Sequence, residues 1–295
     1  MKYRYLDPKA LTRVMNLPLV ARGVVEGFIA GLHRSPFHGS SVEFSEYRKY
    51  VPGDDLKHLD WKAYGKTEKL YVKLFEEETN LRAHLLLDTS ASMGYASSGQ
   101  VKQDYAAFLA ASLAYLMIRQ QDTVGLATFD HRIRKVLPPG AGALHLREIL
   151  TQLEKIQVSE TTGIAKPLHD LAEMAKRRGL VILISDLFDD PAEILRGLLH
   201  FRHRRHEVIV FNLVDPDERD FPFRGLTVFR DMETGQRLEV LPEAIRGEVR
   251  AAFGAFVDTF RKGCAEARID YVLADTSVPY ETLLAAFLTK RARVG

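Results

Sequence analysis

The apolar positions of this chain follow two periods, and the two alternate. From residue 82 onward, short and almost continuous apolar runs end on polar residues. Each is followed by a longer segment with an apolar residue every third or fourth position. The short runs predict strands over 82–87, 123–129, 180–185, 207–214 and 271–274. The longer segments predict helices over 101–120, 144–156, 164–178, 192–204, 243–266 and 280–289. A short run at 132–137 follows its predecessor too closely for a parallel crossover, which predicts an antiparallel edge strand. Residues 226–241 predict a hairpin inserted late in the order.

Strands that alternate with helices imply an α/β fold. The expected architecture is a doubly wound, mostly parallel six-stranded sheet in the order 3-2-1-4-5-6, with helices on both faces and one antiparallel edge strand. In that order the first and fourth strands are neighbours, and the direction of winding reverses between them. Open α/β sheets bind ligands at such a reversal, at the carboxyl ends of the strands. Asp88 closes the first strand and Asp186 follows the fourth.

Residues 1–80 have a different texture. Residues 11–33 predict a helix carrying Gly23, Gly27 and Gly31 on one ridge, 37–67 are polar and turn-rich, and 70–75 predict a strand. An N-terminal extension over 1–80 and a main domain over 81–295 are therefore expected.

Composition narrows the class. Of 295 residues, 46 % are hydrophobic and 27 % charged, which is a globular balance. The net charge of +2 gives no general attraction to nucleic acid, and no nucleic-acid partner is expected. Cys264 is the one cysteine, which excludes a disulfide framework and fits a reducing compartment. The most apolar stretch, 17–32, is short for a membrane span and is interrupted by Arg22 and Glu26. A soluble, cytoplasmic protein without membrane insertion is expected.

The candidate chemistry lies where the first strand opens into Asp88-Thr89-Ser90-Ala91-Ser92. This loop offers a carboxylate and two hydroxyls, with no imidazole or thiolate nearby. Ile184-Ser185-Asp186 adds a second carboxylate, and the turn Glu160-Thr161-Thr162-Gly163 adds a threonine hydroxyl. An all-oxygen set completed by water suits octahedral Mg²⁺ or Mn²⁺. Because the hydroxyl ligands are neutral, the cation would stay under-neutralised and attract an outside carboxylate.

Other features carry blander readings. His200, His203 and His206 are interleaved with Arg202, Arg204 and Arg205, which disfavour a cation, so a solvated helix end is expected there. Cys264, in an amphipathic helix without a base beside it, is expected to be buried rather than reactive. Trp61 is expected to anchor the N-terminal segment on the core. Arg48, Asp54, Asp55 and Asp60 are expected to form a structural charge cluster. The basic tail around Lys290 and Arg291 reads as a chain end.

The loop Asp88-x-Ser90-x-Ser92, a later threonine and a strand-end Asp186 together resemble the metal-ion-dependent adhesion site of von Willebrand factor A domains, over roughly residues 81–290. The resemblance implies metal ligation by Asp88, Ser90, Ser92, Thr162 and Asp186, with Thr161 as a rival for the threonine position. It implies direct contact from Ser90 and Ser92, with Asp88 and Asp186 acting through water, around Mg²⁺ or else Mn²⁺ or Ca²⁺. Upstream, Arg48-x-Tyr50-x-Pro52-Gly53-Asp54-Asp55 and Asp60-Trp61 are similar to a prokaryotic family, number fifty-eight among the domains of unknown function. That likeness extends the match to residues 40–290 and implies a MoxR-type AAA+ ATPase as partner. Gly163 and Gly65-Lys66 depart from the residues many members carry.

The expected function is a non-enzymatic, divalent-metal-dependent protein-interaction module whose bound cation accepts a Glu or Asp from a partner. The alternatives are a Mg²⁺-dependent phosphohydrolase using Asp88 as nucleophile and a scaffold whose site is empty. Ser90 stands where aspartyl phosphatases place a general acid, and no Walker loop is present.

Overall fold

The run Leu180–Ser185 is apolar for its first five residues, and in the folded chain it is buried along its whole length in the middle of a six-stranded sheet. The computed structural model describes residues 4–6, 42–50, 60–67, 69–77, 81–97, 99–158, 163–232 and 235–294. They divide into two units, one drawn from 33–80 and the other from the remainder of the chain.

In the larger unit the elements follow one another as β3 (Arg82–Asp88), α2 (Lys102–Arg119), β4 (Thr123–Phe129), β5 (Ile133–Gly140), α3 (Gly142–Glu154), α4 (Ala165–Met174), β6 (Leu180–Ser185), α5 (Pro191–His203), β7 (Glu207–Val214), α6 (Pro216–Asp220), β8 (Thr227–Arg230), β9 (Arg237–Val240), α7 (Pro242–Glu266), β10 (Asp270–Asp275) and α8 (Tyr280–Val294). The smaller unit holds β1 (Val42–Lys49), α1 (Trp61–Thr67) and β2 (Tyr71–Glu77).

The main sheet runs β10-β7-β6-β3-β4-β5, parallel throughout except for β5, which pairs antiparallel with β4 at the edge. Pro138 and Pro139 fall on that edge strand, where a missing N–H does no harm. Counted along the chain from Arg82, the order reads 3-2-1-4-5-8 rather than the expected 3-2-1-4-5-6. The sixth and seventh strands are β8 and β9, which pair only with each other, so the last place in the sheet passes to the eighth.

Both faces of the sheet are covered, which is why its central strands do not alternate in polarity. Leu180, Ile182 and Ile184 meet Tyr105, Leu109 and Leu113 of α2 and Leu284 of α8. Val181 and Leu183 meet Leu168 of α4, Leu198 of α5 and Phe260 of α7. Each fully buried Leu or Ile contributes about 1.5–3 kcal/mol. Helix α2 is alanine-rich and apolar nearly all round, so it is sunk against the sheet rather than lying on its surface. The turn into β6 requires glycine: a Cβ on Gly179 would lie 2.1 Å from the Arg82 carbonyl oxygen.

In the smaller unit β1 and β2 pair antiparallel. Strand β1 falls within 37–67, read from sequence as turn-rich. A register shift between Phe44 and Glu46 explains the miss, because a bulge changes the phase of the apolar positions and hides their alternation. Asp60 caps α1 by accepting the Ala63 N–H at 3.1 Å. Trp61, expected to anchor the segment on the core, is 64 % exposed and makes an edge contact with Tyr64. The helix expected over 11–33 and the residues Asp54 and Asp55 lie outside the described residues. Among the described residues no helix is long and apolar enough to cross a membrane.

Asp122, at the turn from α2 into β4, accepts the Leu81 N–H at 3.0 Å. Burial pushes its pKa up to about 7, outweighing that hydrogen bond. A carboxyl group raised in the folded state costs stability as pH climbs from the unfolded value, near 4, through 7. Asp122→Asn is therefore expected to stabilise the protein at pH 8 by about 1–3 kcal/mol, and the gain should vanish near pH 4. Urea denaturation at both pH values checks this, and a gain independent of pH would refute it.

Candidate metal centre

Strands β3 and β6 lie side by side, with Leu87 opposite Ile184. Their carboxyl ends therefore bring Asp88, Ser185 and Asp186 to the same edge of the sheet. Asp88 is fully buried. Its Oδ1 accepts the Ser90 N–H at 2.9 Å and its Oδ2 accepts the Ser185 hydroxyl at 2.6 Å. Burial and the charge of Asp186 raise the Asp88 pKa, while the bonds from Ser185 and Ser90 oppose the rise. Among the described residues, both side-chain oxygens of Asp88 have only neutral donors.

The loop after β3 is held from several sides. The Thr89 hydroxyl and N–H both donate to the Phe129 carbonyl at the end of β4, at 2.9 and 2.8 Å. Ala91–Gly94 then forms a single 3₁₀ turn. This geometry sets the Ser90 and Ser92 hydroxyl oxygens 3.1 Å apart. Ser90 is buried and Ser92 is half-buried, so the pair opens outward through Ser92.

That spacing tests whether a small divalent ion fits. Neighbouring ligands on an octahedron with bonds of about 2.0–2.1 Å lie about 2.8–3.0 Å apart. The serine pair meets this requirement, and the buried Asp88 carboxylate lies behind it. No three His, Cys, Asp or Glu side chains converge as a metal site among the described residues. An ion here would therefore depend on hydroxyl oxygens.

Asp186 is also present but differently engaged. Its Oδ1 accepts the Phe188 N–H at 3.3 Å, and its Oδ2 accepts the Lys102 ammonium at 2.7 Å. Lys102 is fully buried and also donates to Glu218 Oε1 at 2.6 Å. Burial disfavours the ammonium, but Asp186 and Glu218 outweigh it and raise the Lys102 pKa, so the side chain stays charged. Glu218 is placed by a capping box on α6: its Oε2 accepts the Asp215 N–H, and Asp215 in turn accepts the N–H of Asp217. A second Asp215 oxygen accepts the Ser97 N–H, tying the loop before α2 to the end of β7.

Thr161 and Thr162 lie outside the described residues. The chain just beyond them is fastened near the site, because Asp189 accepts the Ile164 N–H at 2.9 Å. Asp190 is the N-cap of α5. The histidine run is not a wholly solvated end. His206 is buried against the Ala175 carbonyl, and His200 faces His169 and Glu173. Cys264 is buried, and burial pushes its thiol pKa up to about 12.

Lys102, Glu218 and Ser185 were not read from the sequence. Ser185 could have been found, since it precedes Asp186 at a strand end. Lys102 left one signal: a lysine at the first position of a helix opposes the macrodipole and calls for acidic partners. Its partners are 84 and 116 residues away, and no local pattern names them.

Beside the ion pair opens a recess of about 630 Å³, lined chiefly by Tyr95, Phe188, Phe221, Phe229, Phe253 and Phe256, with Glu218 at its wall.

A family model described as "Protein of unknown function DUF58" matches residues 46–262. An uncharacterized protein of Mycobacterium tuberculosis is 28 % identical over 266 residues, covering 88 % of this chain and 83 % of its own length. Among solved structures, the conserved hypothetical protein BatB of Bacteroides thetaiotaomicron is similar in fold, with a TM-score of 0.50 and 17 % identity over 72 % of this chain and 99 % of that one. An aerotolerance-related membrane protein of Bacteroides fragilis has a TM-score of 0.48 and 17 % identity over 73 % of this chain and all of the other. The expectation of a cytoplasmic location is withdrawn, and no compartment is assigned. A single cysteine and an interrupted apolar stretch do not define a compartment, and residues 17–32 lie outside the described residues.

Removing the shortest bond to Asp88 tests how the site is held. Ser185→Ala leaves a buried carboxylate oxygen without its hydroxyl donor and is expected to cost about 1–3 kcal/mol at pH 8. Chemical denaturation measures this, and an unchanged midpoint would show that Ser185 does not secure Asp88.

Proposed function

We propose that this chain, which belongs to the DUF58 family, is a non-enzymatic, divalent-cation-dependent protein-binding module with a von Willebrand factor A-like main domain. The observation that carries this reading is the Ser90–Ser92 hydroxyl pair, 3.1 Å apart, in front of the buried Asp88. The Ser90 and Ser92 hydroxyls would hold Mg²⁺ directly. Asp88 and Asp186 would act through water, and Thr162 would complete the set. A bound cation supplies an open coordination position that a carboxylate from outside can fill.

The chain's own residues give this arrangement its direction. Ser185 and the Ser90 N–H orient Asp88, so its charge does not have to be organised when the ion arrives. The half-buried Ser92 marks the open side, where a partner's Glu or Asp would approach. The aromatic recess beside the Lys102–Glu218 ion pair gives an apolar side chain of the same partner a place to dock. The family resemblance points to a MoxR-type AAA+ ATPase as that partner.

The phosphohydrolase alternative is the weaker reading. Lys102 contacts Asp186 rather than Asp88, and position 90 offers a hydroxyl rather than an acid.

Isothermal titration with MgCl₂ is expected to show one site, with Ser90→Ala weakening it by at least about tenfold. Capture of the MoxR-type ATPase is expected in Mg²⁺ and lost in EDTA, and equal capture in both would overturn the proposal. Phe253→Asp is expected to weaken capture while leaving the Mg²⁺ titration unchanged. Loss of both would show that the recess supports the site rather than the partner.

A further inference from the structure

The Lys102 ammonium is an unusual occupant for a site read as cationic. It is completely buried, it belongs to the helix that follows the Asp88-x-Ser90-x-Ser92 loop, and it holds one oxygen of Asp186 at 2.7 Å. A divalent ion drawing on Asp186 would therefore meet a positive charge already in place. The structure also provides somewhere for that charge to go. Glu218 Oε1 lies 2.6 Å from the same nitrogen, while Glu218 Oε2 is fixed by the Asp215 N–H. The faces of Phe188 and Tyr95 lie 5.3 and 6.0 Å from the ammonium and favour a cation there.

We propose that Lys102 is a tethered counter-cation that competes with the divalent ion for Asp186, and that Glu218 is the anchor that keeps the ammonium when Asp186 is released. The inference rests on the metal-binding reading and assigns that site its regulator. Without an ion, Lys102 neutralises Asp186 and keeps the loop end in place. With an ion, the ammonium stays paired with Glu218, so no buried charge is stranded. Stranding is the outcome that makes broken buried pairs costly. Affinity for the cation is thereby held below what the oxygens alone would give.

The test uses two substitutions on one contact, which should move affinity in opposite directions. Full-length wild type, Lys102→Met, Glu218→Gln, the double variant and Ser90→Ala are titrated with MgCl₂ and MnCl₂ by calorimetry. Far-UV circular dichroism and melting in EDTA serve as controls for folding. Lys102→Met is expected to bind at least about tenfold tighter, because a like charge leaves and a carboxylate is freed. Glu218→Gln is expected to bind several-fold more weakly, because the ammonium is left to Asp186 alone. The double variant removes one charge of each sign, which keeps the fold balanced. It is expected to match Lys102→Met, since Glu218 acts only through Lys102.

Unchanged or weaker binding by both Lys102→Met and the double variant overturns the inference, because it makes the lysine structural. Binding by wild type that Ser90→Ala does not alter overturns the serine-based reading of the site while the lysine result still stands or falls by its own sign. Tight binding by both Lys102→Met and the double variant, beside weaker binding by wild type, supports the inference in its strongest form. Binding by none of the five proteins overturns both.

Discussion

Two carboxylates at the ends of adjacent parallel strands, Asp88 and Asp186, dictate most of what surrounds them. Both are buried, and an ion removed from water must be compensated by charge or by hydrogen bonds. The protein solves the two cases differently. Asp88 is compensated by neutral donors, a hydroxyl from β6 and a backbone N–H from its own loop. Asp186 is compensated by an ammonium from α2. The asymmetry leaves a negative group beside an open pair of hydroxyls on one side and a neutralised pair on the other.

This polar edge is possible because the rest of the unit is so thoroughly apolar. The central strands are sealed on both faces by α2 and α8 on one side and α4, α5 and α7 on the other. Such a frame holds strand ends in fixed register, and fixed register sets the distances between loops. The Thr89 bonds to the end of β4, the Asp215 bond to Ser97 and the Asp189 bond to Ile164 stitch the loops of neighbouring strands together. Hydroxyl oxygens 3.1 Å apart are therefore a property of the sheet edge as much as of the serine motif.

The aromatic recess extends the same edge outward. Glu218 lies in its wall and also holds Lys102, while Phe188 lines the recess and faces the ammonium. The interior charge and the exterior apolar surface thus share residues, and an occupant of one is in contact with the machinery of the other.

Much of this was written locally. The short, largely apolar runs at 82–87 and 180–185 called for strands covered on both sides, and the helical periods between them favoured a mostly parallel sheet with a reversal at β3 and β6. From that reversal alone Asp88 and Asp186 had to come near each other, and the Asp-x-Ser-x-Ser spacing made the two hydroxyls neighbours. Other features depended on distant partners or on a change of phase, which no short pattern contains. The bulge in β1 erased its alternation, whereas the hairpin expected over 226–241 did form, as β8 and β9, outside the main sheet. Trp61, apolar by composition, was left exposed. The role of Lys102 was decided only when folding carried Asp186 and Glu218 to it from far along the chain, because a buried charge finds its meaning in three-dimensional neighbours and not in adjacent residues.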